Sequence, residues 1–329
     1  MLDLLGGIGA GAAANLLTPA VLFFALGAIA GGLKSDLTIP EQVAKTLALY
    51  LMLCIGFKGG VEARASGLTP ELIGAGGLGL VLSFAAPFAA YAALRTFGAL
   101  DRVTAAATAA HYGSVSVVTF AAGSEYLRGI GVEFGGYMAA VLALMETPAI
   151  LAALLIAGSR QGTAETRLRP ALWREVFLNG AAVVLVGSFL IGVMTGERGM
   201  ARLDVFVTAL FQGALCLFLL DMGLVASRRL AESAKLNLRL IGFAVGWPVL
   251  SAGVALAASA SLGLSLGDAS LMAILAASAS YIAAPAAMRI ALPKADAGIY
   301  LSLSLGVTFP FNLLVGIPLY HGAARLLYG

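Results

Sequence analysis

The sequence predicts an all-α polytopic membrane protein. Ten transmembrane helices are expected as two inverted five-helix repeats, with helices four and nine broken and crossing at mid-membrane. Three observations carry this expectation: an apolar composition, ten apolar segments, and a weak internal repeat whose copies both interrupt a membrane segment with polar, helix-breaking residues.

Of 329 residues, 60% are hydrophobic and 11% charged, and the mean hydropathy is +0.96. Soluble domains carry about 25% charged residues, so lipid is the main solvent of this chain. At about 20 residues per crossing, the length accommodates roughly ten helices and no sizeable soluble domain. A net charge of +3 from 20 basic and 17 acidic residues gives no support to nucleic-acid binding. Cys54 and Cys216 sit inside apolar runs, where thiols pack as small hydrophobes. The start, Met1-Leu2-Asp3, lacks a basic n-region and leads into Gly6, Gly7, Gly9 and Gly11. No removable signal is expected, and with no strand before the glycines and no Lys-Ser/Thr pair after them they do not form a nucleotide loop.

Apolar stretches bounded by Gly, Pro and charges place spans near 17–33, 41–58, 71–94, 102–127, 134–158, 174–195, 203–225, 237–262, 268–291 and 297–326. The longest internal polar stretch, Ser159 to Arg169, falls near the midpoint. The expected organisation is therefore a first repeat over 1–160, a cytoplasmic connector over 161–172 and a second repeat over 173–329. At an offset of 167, Asp101 falls on Asp268, AAHYGSVS (109–116) on AASASYIA (276–283), and Gly56 on Gly223. An odd number of spans per half makes the second copy enter from the opposite side. Chance recurrence of Ala, Ser and Gly is the competing explanation. Loops after odd-numbered spans collect fourteen Lys and Arg residues and the other side six, which places the connector in the cytoplasm and both termini on the periplasmic or extracellular side of the cell (inner) membrane.

Span four carries His111-Tyr112-Gly113-Ser114-Val115-Ser116, a polar, Gly-containing interruption at mid-membrane depth. Span nine carries Ser278-Ala279-Ser280-Tyr281 followed by Pro285, and proline is best tolerated in the first turn of a helix; a second half-helix is expected to start near it. Non-helical backbone survives at that depth only when buried in protein or lining a watery cavity. Two breaks at equivalent positions bring together two helix N-termini, each with roughly half a positive charge and free N–H donors. Gly113 would permit close approach, and Ser114, Ser116, Ser278 and Ser280 would add hydroxyl donors, a combination suited to a small oxyanion. For any one serine, back-bonding to a helix carbonyl is the alternative.

Glu146, in Met145-Glu146-Thr147-Pro148, lies about half-way along span five, where a carboxylate costs about 2.5 kcal/mol or more unless paired or hydrated. Thr308, Pro310 and Asn312 occupy the matching region of span ten. Carboxylate, hydroxyl, amide and unwound-backbone oxygens together suit sodium; a protonated, hydrogen-bonded Glu146 and proton coupling stand as alternatives. Asp221 and Lys58 fall near span ends, where snorkelling or interfacial pairing is ordinary, and His111 either titrates or links helices. No Cys/His metal spacing, HExxH, Walker loop or GxSxG elbow occurs, so an enzyme is not expected. The residues point instead to a secondary transporter of a small anion.

At these segments the sequence resembles the sodium-dependent bicarbonate transporter family of cyanobacteria and other bacteria. The resembling stretches are IGFKGGVEA (55–63), HYGSVSVVTF (111–120), METPAI (145–150), ASASYIAAPAAMR (277–289) and GVTFPFNLLVGIPLY (306–320). The resemblance implies a ten-helix protomer with gate and core domains each assembled from both repeats, a homotrimer, elevator-like movement and sodium-coupled uptake of bicarbonate. It places bicarbonate around Gly113, Ser114 and Ser116 and around Ser280 and Tyr281, with Na+ nearby. Val117 and Val118 stand where the cyanobacterial branch is more polar, which leaves symport of another small anion, such as an organic carboxylate, as the alternative. A PII-like regulatory partner is also compatible with the resemblance, although the midpoint loop here is short.

Overall fold

The structure, a computed structural model, describes residues 15–67, 69–158, 178, 180–232 and 236–329. The described residues form helices joined by short turns, with no strand among them. In chain order these are α1 (Pro19–Gly32), α2 (Glu41–Ser66), α3 (Pro70–Thr96), α4 (Arg102–Gly113), α5 (Val117–Gly129), α6 (Met138–Glu146), α7 (Pro148–Gly158), α8 (Gly180–Asp204), α9 (Leu210–Glu232), α10 (Leu238–Ser261), α11 (Leu266–Ala277), α12 (Ala283–Ala291) and α13 (Ala297–Tyr328). Six helical stretches among the described residues are long and apolar enough to cross a membrane. The chain is thus a multi-pass helical membrane protein. Nine of the ten expected spans lie within the described residues, and span six lacks only its first residues; the connector over 161–172 and the N-terminal glycines lie outside them.

Local sequence sets the helix ends. Thr69 caps α3 ahead of Pro70, with its side chain accepting from the Leu72 amide at 3.3 Å. Asp101 caps α4 by accepting from Val103 and Thr104, and Ser265 caps α11 by accepting from the Asp268 amide at 3.1 Å. Each cap satisfies donors that the first turn leaves unpaired. Gly196 interrupts α8 with φ 56° and ψ −149°, a backbone state that costs little only for glycine. The carbonyls of Val193 and Met194, released there, accept from the Arg64 guanidinium at 3.1 and 2.6 Å. α9 follows through a π-helical turn at Val205–Ala209.

Two helix pairs cross with their backbones nearly touching. α2 packs on α8, where a Cβ on Gly60 would sit 2.0 Å from the Phe189 carbonyl oxygen and one on Gly192 2.2 Å from that of Phe57. α9 packs on α1 in the same manner, through Gly27 against Leu220 and Gly223 against Phe24. Close approach through small residues is how helices associate where lipid removes the hydrophobic drive between them. Gly56 and Gly223, paired by the offset of 167, both sit at these crossings. Around the remaining helices, α3 supports α4, α6 and α7, and α10 supports α11 and α13. Cys54 and Cys216 are free and buried.

Two polar residues lie elsewhere than expected. Asp221 is buried midway along α9. Lys58 lies well inside α2, where its ammonium sits 5.7 Å from the Phe211 ring centroid and lines a narrow cleft with Glu62 and Arg128. In both cases the helix extends beyond the apolar run that marked the span.

Gly223→Leu is expected to lower stability by at least ~1–3 kcal/mol, because its side chain must displace the α1 backbone. Gly213→Ala on the same helix, with nothing within 4 Å of its added carbon, is expected to be neutral. Thermal unfolding of the two variants in detergent measures the difference.

Candidate functional site

Both expected breaks are present, and they touch. α4 ends at Gly113 and α5 begins at Val117; α11 ends at Ala277 and α12 begins at Ala283. Ser114 and Ser278 follow the two first half-helices in the same extended conformation, φ −85°, ψ 156° and φ −78°, ψ 162°. Their spacing is 164 residues, not 167: in the expected register Ser114 falls on Tyr281, one short turn too far along. The second half-helix starts two residues before Pro285, which takes a first-turn position where no donor is needed.

The crossing is made by two hydrogen bonds. The Ser116 amide donates to Ser278 Oγ at 2.9 Å, and the Ser280 amide donates to the His111 carbonyl at 2.8 Å. A mid-membrane break needs such partners for its released backbone groups. The four serines all have backbone duties as well. Ser114 Oγ donates to the Glu146 carbonyl at 3.0 Å, and Ser278 Oγ to the Leu275 carbonyl at 2.8 Å. Ser116 Oγ accepts from the Thr119 amide at 3.2 Å, and Ser280 Oγ from the Ala284 amide at 3.2 Å. The amides of Val117, Val118 and Ala283, at the starts of α5 and α12, have no hydrogen-bond partner among the described residues. Three of the donors left over are therefore helix N-terminal amides, which suit an anion. The Tyr281 hydroxyl faces the Ser116 side chain without a hydrogen bond to it.

Gly113 permits a close approach of neighbouring helices. A Cβ there would lie 2.4 Å from Pro87 Cγ and 2.9 Å from Ala149 Cβ, so the missing side chain lets α3 and α7 close on the end of α4.

The expected sodium ligands divide into two groups. Glu146 ends α6, is 4% exposed, and its Oε2 is buried without a partner. Its own carbonyl is tied to Ser114, so this carboxylate stands beside the first break. A buried, unpartnered carboxylate oxygen fits a hard cation. Thr308 and Asn312 lie one turn apart on α13, both fully buried and both already engaged. The Thr308 hydroxyl donates to the Ala244 carbonyl at 2.7 Å and pairs with the Tyr112 hydroxyl at 2.7 Å. Asn312 Nδ2 donates to the Ala277 carbonyl at 2.8 Å, while its Oδ1 accepts from the Tyr320 hydroxyl at 2.7 Å. No hydrogen bond or ion pair joins the Glu146 side chain to Thr308 or Asn312 among the described residues.

Sequence reasoning missed Tyr112, Ser83 and Tyr320. One signal was readable for Thr308: Pro248 lacks the amide that would bond Ala244, four residues before it, so a polar group had to supply that donor. His111 Nδ1 donates to the Ala107 carbonyl at 2.7 Å, and its Nε2 has no partner among the described residues. It is a buried link within α4 beside Tyr300, with ring centroids 4.5 Å apart.

The comparison with protein families decides among membrane proteins of this kind. A family profile described as Na+-dependent bicarbonate transporter superfamily matches residues 19–325, nearly the whole chain. The chain belongs to the Na+-dependent bicarbonate transporter superfamily. No curated protein matches it at a significant level. As a member of that superfamily the chain is a transporter and not an enzyme, and the two broken helices lie within the matched region.

Ser278→Ala removes the acceptor of the buried Ser116 amide and is expected to destabilise this superfamily member by about 1–3 kcal/mol. Faster hydrogen exchange at Ser116, with exchange in α2 and α8 unchanged, would be the signature.

Proposed function

We propose that the chain is a sodium-coupled bicarbonate symporter that carries its cargo at the crossing of the two broken helices. The contact between the breaks is the observation that carries this reading, because it gathers unpartnered amides from α5 and α12 at one place. In this proposal Gly113, Ser114 and Ser116 shape one side of the anion site and Ser278, Ser280 and Tyr281 the other, with Val117 and Val118 contributing amides. Each helix end adds about 0.3–1 kcal/mol of attraction for an anion, and up to ~2 kcal/mol where the site is partly dry. Glu146 is the proposed sodium ligand, with Thr308 and Asn312 on the opposite wall.

Sodium placed against the Glu146 carboxylate raises the positive potential beside the anion. Symport then follows from linkage, since each ion stabilises the state that binds the other. Two inverted five-helix repeats are the proposed architecture, supported by the reciprocal pairing of α2 with α8 and of α9 with α1. These four helices would form the static gate and the others the moving core of an elevator. A homotrimer in the cell membrane with both termini outside, and a PII-like partner on the cytoplasmic side, complete the proposal.

Proteoliposomes with an inward sodium gradient are expected to take up labelled bicarbonate in a saturable, sodium-dependent way. Glu146→Gln is expected to reduce that uptake about tenfold or more, and Gly113→Leu to abolish it by driving Pro87 and the break apart. Uptake that ignores sodium and follows a proton gradient, or that a small carboxylate competes away, would overturn the assignment of ion or cargo.

A further inference from the structure

We infer that Asn312 is a positioning residue that fixes the second break, and that Tyr320 and Gly316 exist to orient it. This rests on the crossing being the cargo site, but the geometry is independent of that reading. The chain leaves the helical path after Ala277, so the Ala277 carbonyl has no acceptor role within α11. Asn312 Nδ2 supplies the missing donor from α13 at 2.8 Å. A carbonyl can only accept, so the nitrogen of the amide must face it, and the oxygen must face away. That oxygen meets the Tyr320 hydroxyl at 2.7 Å, which donates to it and locks the orientation.

Gly316 provides the space for this bond. A Cβ at that position would lie 2.7 Å from Asn312 Oδ1 and 2.9 Å from the Tyr320 hydroxyl. The π-helical stretch Asn312–Gly316 accommodates the pair on the buried side of α13. Asn312 and Tyr320 are both buried, at 0% and 2% exposure, so water cannot replace either bond. The amide of Asn312 is thus spent in holding the residue that precedes Ser278, the acceptor for Ser116. In the first half the link runs the other way, with Ser114 Oγ in the break donating to the Glu146 carbonyl, so each break is tied to the span that follows it.

A cation ligand and a backbone cap respond oppositely to Asn312→Asp. Aspartate keeps a side-chain oxygen for sodium but loses the N–H that Ala277 requires. The inference predicts that Asn312→Asp loses bicarbonate uptake at every sodium concentration. Tyr320→Phe and Gly316→Ala, which free the amide without removing it, are expected to raise the KM for bicarbonate about threefold to tenfold and leave the sodium half-saturation within about twofold. Hydrogen exchange of 278–282 in the purified full chain supplies a readout that needs no transport, and is expected to speed up in Tyr320→Phe while exchange in α2 stays unchanged. Wild-type KM in Asn312→Asp, a rise in sodium half-saturation alone in Tyr320→Phe, or unchanged exchange at 278–282 would overturn the inference. Wild-type protein without sodium-dependent uptake would instead overturn the proposed function, and the exchange result would still decide the role of Asn312.

Discussion

Backbone that leaves the helix inside a bilayer must find partners within the protein, and the rest of this structure depends on how two such places partner each other. Each unsatisfied amide or carbonyl in hydrocarbon costs several kcal/mol. Here the Ser116 amide turns to Ser278 and the Ser280 amide to His111. Neither break could persist alone at that depth with those amides free. Their contact fixes where α4, α5, α11 and α12 meet, and the supporting helices arrange themselves around that point.

The same constraint explains the polar residues of the surrounding helices. Proline at 87, 148 and 248 removes an amide and leaves a carbonyl without its usual donor. Thr308 donates to the Ala244 carbonyl opposite Pro248. Around Pro148, Ser83 donates to the Met145 carbonyl at 2.6 Å and Ser114 to that of Glu146. Buried hydroxyls that resemble a cargo-binding lining in the sequence are thus largely occupied with the backbone. Full satisfaction of such a network also makes it rigid, which a site selective for a small ion requires.

What the sequence reveals divides along the range of the interaction. Apolar runs, caps such as Thr69 and Asp101, and the interruptions at Gly113–Ser116 and Ser278–Pro285 are local properties, and they place helices and breaks within a few residues. Register between the halves is not local. The offset of 167 pairs Gly56 with Gly223, yet Ser114 and Ser278 stand 164 apart, because the stretch from Gly223 to Ser278 is three residues shorter than that from Gly56 to Ser114. Partners such as Tyr112 with Thr308, 196 residues apart, are set by the meeting of helices and leave no spacing to read. The partner that Gly113 lets approach, Pro87, lies on another helix and could not be read from the break alone.

The groups that the backbone does not use are the informative ones. Unpartnered donors at the crossing include the amides of Val117, Val118 and Ala283, all at the positive ends of helices. The unpartnered carboxylate oxygen beside the first break is Glu146 Oε2. In the proposed function, the buried lone pair of an ionised Glu146 beside a bound anion would repel it. In that proposal a cation on Glu146 converts the repulsion into attraction, which is the physical basis proposed for carrying the two ions together.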